Sequence, residues 1–101
     1  MAARDARLYV CSARVELTIP GALTLKDRRS VVKSLVERLS ARFNLSVSDL
    51  DGGGGGAARA ILGIAAASNS ASLARESIHK AVDFIVEDGR AEVQSAEIAE
   101  Q

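Results

Sequence analysis

The segment "LYVCSARVELTIPG", residues 8–21, decides the fold. Tyr9, Cys11, Ala13, Val15, Leu17 and Ile19 alternate with Leu8, Val10, Ser12, Arg14, Glu16 and Thr18. A sustained period of two reads as a β-strand whose odd positions form one wholly apolar face. The even positions begin apolar and turn polar. Pro20-Gly21 ends the strand, because proline lacks a ladder donor and glycine permits the turn.

Downstream the period changes. In "TLKDRRSVVKSLVERLSARF", Leu25, Val32, Leu35, Val36, Leu39 and Phe43 share one helical stripe. Thr24, with Asp27 three residues on, predicts a capping box and a helix from about Leu25 to Arg42. "NLSVSDL", residues 44–50, reads as a short strand, and "ARAILGIAAA", residues 58–67, as a strand apolar on both faces, hence central. Ser68 to Ser72 offers helix N-caps. Ala74, Ile78, Ala81, Val82 and Ile85 form a second stripe, with Gly89 placed to end that helix. "AEVQSAEIA", residues 91–99, is a weaker alternating strand.

The order β-α-β-β-α-β predicts a ferredoxin-like α+β sandwich. Right-handed crossovers place both helices on one face of a four-stranded antiparallel sheet, with the first and third strands in the middle. At 101 residues the chain reads as a single domain, 1–101. The sheet's second face is expected to be uncovered, and its apolar part suggests a homo-oligomer contact.

Composition narrows the function classes. The one cysteine, Cys11, lies on the apolar face and reads as core. No metal-ligand cluster, cofactor motif, signal peptide or membrane-length apolar run is present, so no metal or cofactor and a cytoplasmic setting are expected. Net charge is zero but uneven: nine basic and five acidic residues in 1–50, four and eight in 51–101. His79, four residues before Asp83, reads as half of a surface pair.

Five glycines, Gly52 to Gly56, stand between the second and third strands. A phosphate loop needs a following Lys-Ser/Thr and a helix, and neither is there. The run therefore reads as a hairpin tip, about residues 51–57, slack because so many glycines lose entropy on ordering.

The first helix gathers Lys26, Arg28, Arg29, Lys33, Arg38 and Arg42 against Asp27 and Glu37. Cations at a helix N-terminus oppose the macrodipole, and that placement suits an anion bound there. Thr24, Lys26, Arg28, Arg29, Lys33 and, at the glycine run, Arg59 are the candidate anion or nucleic-acid contacts. The expected partner is RNA or the ribosome, with no DNA specificity. Stacking on the sheet is not expected, because the central strand "ARAILGIAAA" has no aromatic residue. Acylphosphatases share the element order and hold phosphate with an arginine at the first helix. Their Gln/Val glycine loop is missing here, so an enzyme is disfavoured.

Several pieces resemble the YlxP-like family of small bacterial proteins. They are Thr24-Leu25-Lys26-Asp27-Arg28-Arg29, Phe43-Asn44-Leu45-Ser46-Val47, "ILGIAAASNS" and "IHKAVDFIVE". The resemblance implies a ferredoxin-like fold, a bacterial cytosolic setting, a homo-oligomer and genes beside transcription and translation factors. It carries over no catalytic residue. Many members have Trp-Gln-Arg before the third strand; here Ala57, Ala58 and Arg59 stand there.

Overall fold

A computed structural model describes residues 6–101. The elements are β1 (Tyr9–Thr18), α1 (Leu25–Arg42), β2 (Ser46–Asp49), β3 (Arg59–Ser68), α2 (Ala71–Asp88) and β4 (Glu92–Glu100). The four strands form one antiparallel sheet in the order β2-β3-β1-β4. This is the expected ferredoxin-like α+β arrangement, with β1 and β3 central.

The alternation in β1 sorts side chains as the pattern requires. Cys11, Ala13, Val15 and Leu17 are buried, followed by Ile19 just past the strand. Across the sheet Val15 pairs with Leu62 and Ala13 with Ile64, so the β3 positions Ala60, Leu62, Ile64 and Ala66 face the same layer. The helices close that layer with Val32, Leu35 and Leu39 from α1 and Ala74, Ile78, Ala81 and Ile85 from α2. At the edge of this core the Phe43 and Phe84 rings meet edge-on, 6.0 Å apart.

Capping fixes where each helix starts. Thr24 Oγ1 accepts from the Asp27 amide, and the Asp27 carboxylate accepts from the Thr24 amide, which completes the expected capping box. Among the serines offered for α2, Ser70 is the cap, accepting from the Leu73 amide. Gly89, at φ 81°, ends α2 in the left-handed conformation that side chains resist. Two arginines then secure that end, since Asp88 accepts from both Arg38 and Arg90.

Three expectations change. The second strand is shorter than residues 44–50: the ladder with β3 covers Ser46–Asp49, Leu50 adds one amide bond to Ile61, and Asn44 and Leu45 have no β3 partner. The glycine tip is folded into hydrogen-bonded turns where the sequence suggested none. The Gly54 amide donates to the Asp51 carbonyl and the Gly56 amide to the Gly53 carbonyl, with Gly52, Gly53 and Gly56 at positive φ. The expected His79–Asp83 pair is not formed, and His79 is exposed.

Candidate functional site

The N-terminal half of α1 faces β2 and the glycine tip, and the candidate residues divide there. Thr24 is taken up by the capping box, and the Asp27 carboxylate accepts from the amides of both Leu23 and Thr24. Those amide bonds hold the Asp27 carboxyl below its usual range. The position where an external anion was expected is thus filled by the chain's own carboxylate.

Arg28 is the main correction. It is 4% exposed and commits four of its five N–H groups inside the protein. Nη1 and Nη2 donate to the two Asp49 carboxylate oxygens at 2.9 and 3.0 Å, a bidentate pair. Nη2 also donates to Asp51 Oδ1 at 2.7 Å, and Nε to the Arg59 carbonyl at 2.7 Å. Asp51 Oδ1 further accepts from the Ile61 amide, and Asp49 Oδ1 from the Gly52 amide. The Arg28 guanidinium holds the Asp49 carboxyl below its ordinary range, and Asp49 in turn raises Arg28. Arg28 therefore pins the β2–β3 hairpin to α1 and is not an open anion ligand. In the acylphosphatase comparison Arg28 is the arginine at the first helix, and here its hydrogen-bonding edge is turned onto the Asp49 and Asp51 carboxylates.

Arg59 goes elsewhere. Its register with Thr18 puts its side chain on the open sheet face, where Nη2 lies 3.8 Å from Glu16. Arg14, also paired with Glu16, and Glu97 share that face. Around Gly63 and Ala65 the face forms a shallow depression of about 600 Å³, with Leu50 leaning over Gly63.

Lys26, Arg29 and Lys33 remain exposed on α1. Lys33 lies 4.0 Å from Glu37, a weak surface contact. Among the described residues, Lys26, Arg29 and Arg42 have no carboxylate within 4 Å, and all three lie on α1. Arg14, Arg28, Arg38, Arg59, Arg75, Lys80 and Arg90 each have one. Arg42 instead lies over the Phe43 and Phe84 rings, 5.9 and 5.6 Å from their centroids.

Arg29, Lys33 and Glu37 rim a groove of about 550 Å³ between α1 and β2, lined within by Leu25, Val32, Val36 and Val47 and bounded by Ser48 and the Arg28–Asp49 pair. β2 is the edge of the sheet. The Leu50 amide donates to the Ile61 carbonyl, so by antiparallel alternation the backbone N–H and C=O of Val47 point outward from the free edge of the sheet, beside this groove.

Residues 10–98 match the family described as "Protein of unknown function (DUF503)". The chain belongs to this family. Among curated proteins no sequence matches it. In this DUF503 chain, sequence reasoning missed Asp49 and Asp51 as partners of Arg28. The signal was available: Arg28 sits near the apolar stripe of α1, and two aspartates flank the start of the glycine run. Among the described residues of this DUF503 domain, no helix is long and apolar enough to cross a membrane.

Proposed function

We propose that this protein is a non-catalytic binding module that engages RNA, alone or on the ribosome, through the outward face of α1. The observation that carries this reading is the distribution of uncompensated charge. Lys26 and Arg29, on one side of α1, have no carboxylate partner among the described residues, while Arg14, Arg38, Arg75, Lys80 and Arg90 each have one. Asp27 already occupies the helix N-terminus, so Lys26 and Arg29 are left to meet a phosphate by their own charge on the helix flank. The resemblance to YlxP-like proteins supports the same setting in bacterial cells, near translation.

The test is binding of full-length protein to RNA and to ribosomes across a salt series. Two or three neutralised phosphates give a log–log salt slope of roughly −1.4 to −2.1 on a single strand. Arg29→Glu with Lys33→Glu is expected to weaken binding at least tenfold and flatten that slope. Unchanged binding in the double variant would remove this reading.

A second reading is self-association through the open sheet face, favoured by Leu50, a large apolar side chain 53% exposed at the depression. Sedimentation with and without RNA separates the two. A dimer indifferent to RNA and dissociated by Leu50→Lys supports the second.

A further inference from the structure

We infer that the nucleic acid taken by this face is single-stranded, with one unstacked base seated in the groove between α1 and β2. This rests on the RNA reading above and narrows it. Phosphate binding alone needs only cations on a convex surface. Here Arg29 and Lys33, the latter 4.0 Å from Glu37, stand at the lip of a groove whose floor is largely apolar, in which Leu25 is 53% exposed. A ligand that satisfies both parts carries negative charge beside a flat, largely apolar body, as a nucleotide does. The volume of about 550 Å³ lies in the range of pockets that hold groups of that size.

The third part of the site is the free strand edge. The Val47 N–H and C=O form a donor–acceptor pair on the free edge of β2 beside the groove, where the hydrogen-bonding edge of a seated base could meet it. Gly52 and Gly53 border the same groove and place no side chain over its end. A duplex keeps its bases stacked and paired, so it would reach Arg29 and Lys33 but leave the floor and the Val47 edge unused. An extended acidic peptide is the competing occupant. Strand addition to β2 has little ladder to use, since the strand is four residues long.

The experiment measures fluorescence anisotropy of the full chain with a labelled oligouridine and with an RNA duplex of equal length, at matched salt. The single strand is expected to bind about tenfold more tightly, the effect of taking roughly 55 Å² of base surface out of water against the aliphatic floor. Val36→Gln and Leu25→Ser, each checked for folding by circular dichroism, should erase that preference and leave duplex affinity unchanged. Arg29→Glu should weaken both. Equal or tighter duplex binding overturns this inference and leaves the RNA reading intact. Binding of neither nucleic acid at low salt overturns both. Displacement of the oligouridine by polyglutamate at a lower concentration than by unlabelled RNA overturns it in favour of the peptide.

Discussion

Replacing Arg28 by methionine tests the clamp between α1 and the β2–β3 hairpin. Methionine keeps most of the buried stem and removes the guanidinium, so the loss reported is electrostatic. Hydrogen bonds to charged groups contribute roughly 1.5–3 kcal/mol each, which would give an implausible total for the four that Arg28 donates. They share two carboxylates and do not add. Breaking a buried pair from one side costs about 3–5 kcal/mol, because the opposite charge is left behind. Asp49 keeps 28% of its side chain in solvent and can partly rehydrate, which favours the lower end, about 3 kcal/mol. In a domain of this length that is a fall in Tm of roughly 12–24 °C.

Urea unfolding followed by circular dichroism measures the loss. Adding Asp49→Asn and Asp51→Asn to the methionine variant removes the orphaned charges and should recover at least about half of it. Acidity supplies a further check. The folded protein depresses Asp49, so its contribution is present above the ordinary carboxylate value and is lost as pH falls through the lower folded value. The gap between wild type and Arg28→Met must therefore narrow below about pH 4. A variant within about 1 kcal/mol of wild type at pH 7, or a gap that widens in acid, would refute the clamp.

The remaining predictions concern single features. Thr24→Ala removes the α1 cap and should cost about 1 kcal/mol in urea unfolding, with RNA affinity unchanged because Thr24 is a cap and not a contact. Asp88, held by Arg90 and Arg38, has its carboxyl lowered to about 2. A carbon-detected NMR titration should place its midpoint there. Asp88→Asn should cost roughly 1–2 kcal/mol at pH 7, discounted for the exposed guanidiniums, and lose its effect as pH falls from 3.8 through about 2. Gly53→Ala forces a side chain to φ 94° and should destabilise by about 1–2 kcal/mol. Gly21→Ala, with nothing within 4 Å and no positive φ, should be neutral or stabilise by about 0.5 kcal/mol in the same unfolding assay.

Local pattern carried most of the fold. The strict alternation in β1 and the Thr24–Asp27 spacing mark a strand and a helix start using neighbours only, and both stand in the structure. β2 was blurred because Asn44 and Leu45 continue its alternation while lacking β3 partners, a fact of tertiary pairing. The site was less legible. Arg28 and Arg29 are adjacent and chemically identical, yet one turns inward to carboxylates 21 and 23 residues away and the other outward. Charge counting cannot separate them without those partners. Arg59 was grouped with the helix cations through the glycine run. Strand register sends its side chain to the opposite face and gives only its carbonyl to Arg28.

The central place of β1 bears on how the chain is made. Its Val15 pairs with Leu62 on one side and Ala96 on the other. On a ribosome, β1 emerges long before either neighbour, and its buried face stays unpaired until β3 has followed. β2 has no sheet to join in that interval, so the first half of the chain cannot reach its final pairing. Long-range pairing of this kind slows folding and exposes strand edges meanwhile. α1 is the one element of that half able to form early from local contacts, and its capping box is complete within four residues. The nascent chain should thus carry its cationic helix ready-made at the ribosome surface while the sheet is still waiting for its last strand.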